Sequence, residues 1–318
     1  MLSVLLILPD FLVILVGFLL MKFFHDGVFN ETFWKGAEKI VFYVLFPPLL
    51  FTSVATSNLT LGEAGLYLVV AISAISAMMC AVVMSYLIRY FVKADPVTHA
   101  SAFHCGFRFN TYVGFALVSR LFGQEGLALM SLLIAFWVPI SNSIAVAALA
   151  SAVAQREQTT GKSNVLAKTI KAIVTNPLII ATTLGLIVNL GSIPVPAVAM
   201  TFFKSLGNAS LAMGLLCIGA GLRLSGMKSE WKLIAANTVE RLVATPAVAL
   251  LFCLVFDLAP AASGALMIFA MLPTAQSCYV MTASMRGNAP LVAGITTAHT
   301  LAAILTIPCW IVVITALL

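Results

Sequence analysis

The stretch FHCGFRFNTYVGF, residues 103–115, lies inside an apolar segment long enough to cross a lipid bilayer. Its middle nevertheless holds Arg108, Asn110, Thr111 and two glycines. A helix in hydrocarbon satisfies its own backbone, so polar groups and a break at this depth must be buried in protein or line a wet cavity. The stretch therefore predicts a broken helix at a binding site.

The composition of the whole chain indicates an integral membrane protein. Of its 318 residues, 62% are hydrophobic and 9% are charged, whereas soluble domains carry about 25% charged residues. The 17 Lys and Arg residues are expected to mark cytoplasmic loops rather than a nucleic-acid surface. The apolar N-terminal segment has no preceding basic residues and no small-residue cleavage site, so we expect a membrane span there and not a signal peptide.

Ten apolar segments are long enough to cross a bilayer, at about 20 residues per span. They lie at residues 3–22, 36–57, 64–91, 98–120, 126–153, 167–190, 197–222, 231–256, 261–285 and 290–317. The predicted fold class is therefore all-α integral membrane. The most polar run of the chain begins at residue 154, and we interpret residues 154–166 as a linker between two five-span repeats, residues 1–153 and 167–318.

Basic residues are distributed unequally between the two sides of this ten-span pattern. Loops after odd-numbered spans hold 13 of the Lys and Arg residues, the opposite loops hold only Arg120 and Lys204, and Arg108 and Arg241 lie inside spans. The positive-inside rule places the linker in the cytoplasm and both termini outside an inner (plasma) membrane. Because five is odd, a second half that repeats the first enters the membrane inverted, as in many secondary transporters.

A second polar interruption, in span nine, is the predicted partner of the first. Pro273 removes a backbone donor and clashes with the preceding helical turn, and Thr274, Gln276 and Ser277 follow it. The sequences NTYV at 110–113 and SCYV at 277–280 are offset by 167 residues, which supports a repeat. Two half-helices that begin near the midplane present unpaired N–H groups and positive dipole ends, so they suit an anion such as a carboxylate.

Polar side chains in the two interrupted spans are suited to complete this anion site. Arg108 lies about 15 Å into its span at helical rise, where its guanidinium can pair bidentately with a carboxylate. A structural ion pair and snorkelling to the cytoplasmic face remain alternatives for Arg108. The candidate substrate-binding residues are Arg108, Asn110, Thr111, Tyr112, Pro273, Thr274, Gln276 and Ser277.

Two further polar residues inside spans are candidates for proton coupling. Glu240 lies in span eight next to Arg241, and His299 lies in span ten among threonines. Structural pairing is the alternative for the two charged residues, and a hydrogen bond across helices is the alternative for His299. The six cysteines lie in apolar stretches without metal-ligand spacing, so we expect no metal site and no cofactor.

Five motifs, in order along the chain, resemble the auxin efflux carrier family, a branch of the superfamily that includes the bile-acid sodium symporters. They are VFYVLFPPLLF at 41–51, FNTYVG at 109–114, NPLII with LGL at 176–180 and 184–186, RLVATP at 241–246, and the segment from PT to YV at 273–280. Asn110 matches the asparagine of the family that hydrogen-bonds the substrate carboxylate, and Pro273 matches its second crossover proline. The chain departs from the family at Phe109, where proline is frequent, and Arg108 has no counterpart to carry over.

The resemblance implies an elevator-like transporter with helices 4 and 9 broken and crossing at mid-membrane. Helices 1, 2, 6 and 7 would form a scaffold that carries a homodimer interface, and helices 3–5 and 8–10 would form the moving transport domain. The predicted function is secondary transport of a small organic anion, with a proton or sodium ion as candidate co-substrate. A sodium-coupled symporter of a larger amphipathic anion and a non-transporting ligand sensor remain alternatives, and no nucleophile–base pair indicates an enzyme.

Overall fold

The computed structural model describes residues 2–56, 64–157, 175, 177–222, 230–258, 260–275 and 277–317. Within these residues all regular secondary structure is helical, and there are no strands. The all-α prediction is therefore confirmed. Residues 158–166 of the predicted linker lie outside the described residues, whereas its first residues, up to Glu157, continue a helix.

The described helices are numbered in chain order. They are α1 (Leu2–Phe24), α2 (Glu31–Ile40), α3 (Phe46–Ala55), α4 (Ala64–Phe91), α5 (Pro96–Phe103), α6 (Thr111–Glu157), α7 (Pro177–Leu190), α8 (Ala197–Gly221), α9 (Trp231–Val239), α10 (Thr245–Val255), α11 (Pro260–Met271), α12 (Ser277–Ser284) and α13 (Ala289–Leu317). A π-helical turn at Val41–Leu45 joins α2 to α3, and another at Glu240–Ala244 joins α9 to α10.

Six continuous helical stretches in the described part of the chain are long and apolar enough to cross a membrane. They are Glu31–Ala55, Leu68–Phe91, Gly126–Arg156, Ala197–Gly221, Trp231–Val255 and Ala289–Leu317, and two shorter apolar helices are Pro177–Leu190 and Ala262–Met271. The chain is thus a multi-pass membrane protein, while the ten-span inverted repeat stays a prediction. Arg120, which the sequence places in a loop, lies within α6, where Gly123 has a φ of 57° and separates two helical segments.

The chain folds as two compact units. Unit 1 comprises Met1–Ala71, Tyr112–Ala135 and Ile173–Leu222, and unit 2 comprises Ile72–Thr111, Phe136–Ala172 and Arg223–Leu318. Each unit is therefore built from separated stretches of sequence, and both interrupted helices predicted above fall largely in unit 2.

Close helix packing in unit 1 depends on glycine. A side chain at Gly17 of α1 would collide with the Leu216 carbonyl of α8, and one at Gly219 of α8 would collide with the Ile14 carbonyl of α1. Such small residues let two membrane helices approach at backbone distance. Elsewhere in unit 1, Asp10 and Arg120 form an ion pair in which Nη2 lies 2.6 Å from Oδ1.

Local signals in unit 2 fix where its helices begin and bend. Pro246 has no N–H to offer the Leu242 carbonyl one turn earlier, and the indole Nε1 of Trp310 donates to that carbonyl instead, at 2.8 Å. At the start of α5, Asp95 Oδ1 accepts the N–H groups of Val97 and Thr98, at 3.0 and 3.1 Å. Partial burial raises the pKa of Asp95, but the hydrogen bonds from Thr98 and Val97 outweigh it and lower that pKa below its ordinary value.

Candidate functional site

Two interruptions between helices of unit 2 contact each other directly. The first lies between Phe103, the end of α5, and Thr111, the start of α6, and the second lies between α11 and α12. The backbone N–H of Asn110 donates to the carbonyl of Pro273, at 2.7 Å. A backbone hydrogen bond therefore joins the two stretches that the sequence analysis paired.

Side chains from neighbouring helices satisfy the backbone groups that the second interruption exposes. Arg241 donates from Nε to the Leu272 carbonyl, at 2.8 Å, and from Nη2 to the Phe269 carbonyl, at 3.3 Å. Both carbonyls belong to the end of α11, where the helix dipole is negative and a cation is favoured. Arg241 is fully buried, and its charge interacts favourably with this helix end and with the neighbouring Glu240.

Side chains from other helices also bind or pack against the first interruption. The indole Nε1 of Trp137 donates to the Phe107 carbonyl, at 2.9 Å. The ring of Phe109 packs on that of Phe269 in α11, with centroids 4.5 Å apart. These contacts let non-helical backbone persist inside an apolar unit, because its carbonyls are bonded and its aromatic side chains are packed.

Arg108 connects the first interruption to α12. Its Nη2 donates to Ser277 Oγ, at 2.9 Å, and its Nη1 lies 3.6 Å from Met281 Sδ. Only 9% of the residue is exposed. Within the described residues, no carboxylate lies within ion-pair distance of this guanidinium, so its partners are one hydroxyl and one thioether.

Glu240 lies next to Gly106 of the first interruption and is 6% exposed. Its Oε2 accepts the hydroxyl of Ser85, at 3.0 Å, and its Oε1 lies 3.3 Å from the hydroxyl of Thr245. A side chain at Gly106 would collide with both Ser85 Oγ and Glu240 Oε2. A larger residue at this position would have to displace the side chains of Ser85 and Glu240.

A model of the membrane transport protein family matches residues 3–311. The chain belongs to this family. This confirms the resemblance to the auxin efflux carriers inferred from the sequence motifs. A comparison with curated proteins finds no match.

The predicted binding residues lie in different surroundings in the structure. Asn110, Pro273 and Thr274 are buried in unit 2, while Ser277 is exposed at the start of α12. Thr111 is half-buried at the start of α6. Gln276 lies outside the described residues.

Tyr112, the next residue along the chain from Thr111, belongs to unit 1. Its ring packs on that of Phe46, with centroids 4.9 Å apart, and lies close enough to Gly214 that a side chain there would contact it. Tyr112 therefore has a packing role within unit 1, and a contact of this residue with substrate stays a prediction.

His299, the second candidate for proton coupling, is fully buried in α13. Neither ring nitrogen has a hydrogen-bond partner of standard geometry among the described residues. Its ring does interact with the backbone of Asn237 in α9, which is consistent with the hydrogen bond across helices expected as the alternative. Its coupling role stays a prediction.

Sequence reasoning missed one group of side chains beside the interruptions. His104, Cys105 and Cys278 are buried, and their ligand atoms lie within 4.8 Å of one another. The two cysteines are 173 residues apart in the chain, so no local spacing could have indicated them. Predicting this cluster from sequence would have required the correct pairing of spans four and nine and the helical register of each.

Proposed function

We propose that this membrane transport protein is a secondary active transporter of a small organic anion, such as a mono- or dicarboxylate. The observation that carries the proposal is the buried guanidinium of Arg108, whose partners are a hydroxyl and a thioether. A charge held inside a membrane protein without a counter-charge costs several kcal/mol. A bound carboxylate would supply that counter-charge through a bidentate, charge-assisted pair.

The surroundings of Arg108 suit the same ligand. Ser277, which accepts a hydrogen bond from Arg108, is the first residue of the eight-residue helix α12. The first N–H groups of a helix lack partners within that helix, and its dipole favours an anion there. In this proposal Asn110, at the contact between the interruptions, orients the substrate by hydrogen bonding.

Proton coupling through Glu240 is part of the proposal. Its carboxyl group is buried against two hydroxyl groups, and no basic side chain of the described residues lies within ion-pair distance. Burial favours the neutral, protonated form of a carboxyl group, whereas the charge of the neighbouring Arg241 favours the ionised form of Glu240. Glu240 is thus able to carry a proton when the substrate anion moves.

An elevator-like movement is the transport mechanism we propose. Such a mechanism requires a transport domain that carries the site and moves against a scaffold that anchors a homodimer. The division of the chain into two compact units, one of which holds both interruptions, supports this mechanism. We further propose that predicted spans one, two, six and seven form the scaffold and carry the homodimer interface. The inner-membrane location is also part of the proposal.

Uptake into proteoliposomes tests the proposed substrate class. A panel of radiolabelled mono- and dicarboxylates would be compared with neutral analogues, with and without sodium and at two pH values. The variant Arg108→Gln should weaken carboxylate affinity about 10- to 100-fold, the equivalent of about 1.5–3 kcal/mol for charge-assisted hydrogen bonds. Asn110→Ala should lose substrate binding while it still inserts into the membrane.

The matched control is Arg89→Gln, since Arg89 is an exposed arginine of the same unit whose guanidinium lies over Tyr86 and Tyr90. It should transport normally. Unchanged carboxylate affinity in both Arg108→Gln and Asn110→Ala would contradict the proposed site. Strict dependence on sodium with no effect of pH would favour the symporter alternative, and binding without flux would favour the sensor.

A further inference from the structure

The His104–Cys105–Cys278 cluster has no role in the proposed transport function. One imidazole nitrogen and two thiol sulfurs lie within 4.8 Å of one another, and all three residues are fully buried. His104 and Cys105 belong to the first interruption, and Cys278 is the second residue of α12. The cluster therefore combines ligand atoms from two separate chain segments of unit 2.

The imidazole of His104 contacts Thr282 and also interacts with the thiol of Cys278. Its Nε2 lies 2.9 Å from Thr282 Oγ1, whereas Nδ1 has no hydrogen-bond partner of standard geometry among the described residues. A buried polar atom without a partner costs free energy. A hydrogen bond made by one ring nitrogen is also what commonly orients the other toward a metal ion.

We propose that His104, Cys105 and Cys278 form a site for a soft, monovalent d¹⁰ metal ion such as Cu⁺. Two cysteine sulfurs and one imidazole nitrogen form a soft ligand set, and the cluster contains no carboxylate that would favour a hard cation. On binding, two S–H bonds break, both protons leave to solvent, and two S–metal bonds form. No change of oxidation state is involved.

The charge balance around the cluster favours a monovalent ion. Two thiolates and one monovalent ion together carry a charge of −1, and Arg108 interacts electrostatically with both cysteines. When no substrate carboxylate is bound to Arg108, the cluster and this guanidinium would be neutral together, whereas a divalent ion would leave a net positive charge. Uncompensated charge is strongly disfavoured in a membrane interior, so the site should select against Zn²⁺ and Cd²⁺.

Silver ion is the probe, because it mimics Cu⁺ and does not change oxidation state in air. The starting protein is the full chain with Cys80→Ala and Cys309→Ala, which removes the thiols that are not fully buried. Purified, reduced protein is exposed to Ag⁺ and challenged with excess methionine, and the ions retained per chain are counted by native mass spectrometry. Cys278→Ser is compared with Cys253→Ser, since both cysteines are buried in unit 2.

The background protein and Cys253→Ser should each retain one Ag⁺ after the challenge, and Cys278→Ser and Cys105→Ser should retain none. His104→Gln should lower Ag⁺ affinity at least tenfold, and it tests the site independently should a cysteine variant fail to elute as folded protein. Equal retention by Cys278→Ser and Cys253→Ser would overturn the proposal, as would a background protein that retains no ion. Displacement of Ag⁺ by equimolar Cd²⁺ would overturn the assignment to a monovalent ion.

Discussion

At the scale of single residues, the two arginines that the sequence analysis places inside spans, Arg108 and Arg241, have different surroundings. Arg241 donates to two carbonyls at the end of α11, so the helix end compensates its charge. Arg108 has a hydroxyl and a thioether instead, which is why we propose that it binds the substrate anion. The sequence identified both as buried charges but could not distinguish them, because their partners lie between 28 and 173 residues away.

Replacement of Arg241 tests its structural role. Arg241→Met keeps much of the side-chain volume but leaves the carbonyls of Leu272 and Phe269 without these donors. An unsatisfied buried polar group costs about 1–3 kcal/mol, so we expect a clear fall in the thermal unfolding midpoint in detergent. Arg89→Met, at an exposed position, should leave that midpoint within error. Equal midpoints for Arg241→Met and the unmodified protein would show that the end of α11 does not depend on this arginine.

Glu240 provides a test of coupling that leaves folding intact. In Glu240→Gln the amide oxygen can still accept one of the hydroxyl groups of Ser85 and Thr245, and the amide N–H can donate to the other, but the side chain cannot bind or release a proton. Exchange of labelled for unlabelled substrate should therefore persist, while accumulation driven by a pH gradient should disappear. The exposed Glu31→Gln should retain both activities. Accumulation by Glu240→Gln at the unmodified rate would exclude Glu240 as the proton carrier.

At the scale of helices, contact between α1 and α8 depends on the absence of two side chains. A Cβ at Gly219 would meet the backbone of Ile14 and Phe18, which cannot move away as a flexible side chain can. Small residues in this span, such as Gly214 and Gly219, are evident in the sequence. Their partner helix is not, because an apolar helix carries no periodic signal that identifies the neighbour it packs against in a membrane.

A single added methyl group should therefore destabilise unit 1. Gly219→Ala should lower stability by about 1–3 kcal/mol, the usual cost of overpacking. Gly36→Ala is the matched control, since a Cβ at Gly36 of α2 would meet nothing within 4 Å. That change should be neutral or stabilising by up to about 1 kcal/mol, because alanine loses less backbone entropy in a helix. Thermal unfolding of the two variants in the same detergent measures the difference, and equal midpoints would contradict the close packing.

The helix interruptions were the elements most accessible from sequence. Polar residues and glycine in one apolar span, and proline followed by polar residues in another, indicated both positions. The contact from Asn110 to Pro273 agrees with the pairing expected from the 167-residue offset. Their crossing at mid-membrane stays a prediction, since depth in a bilayer follows from the lipid boundary and not from contacts within one unit.

At the scale of the whole molecule, composition and motif order were enough to predict a helical membrane transporter of this family. The division into units was less accessible. Unit 1 contains Tyr112–Ala135 in addition to residues near the start and centre of the chain, so α6, whose two helical segments are separated at Gly123, contributes to both units. Hydropathy describes how apolar each span is, but it does not indicate which spans pack together.

The orientation of the molecule is a prediction that rests on its charges alone. In the ten-span pattern, the loops after odd-numbered spans hold 13 Lys and Arg residues and the opposite loops hold 2. Such a bias places the loops with more basic residues in the cytoplasm. Ser192, between α7 and α8, and Gln155, near the end of α6, are both exposed and fall on opposite sides in this pattern. In a background without Cys80 and Cys309, a membrane-impermeant maleimide should label Ser192→Cys on intact cells, and Gln155→Cys only after permeabilisation. The reverse labelling pattern would show that the orientation is opposite to the one predicted, with the basic loops outside. Features other than charge would then set the orientation.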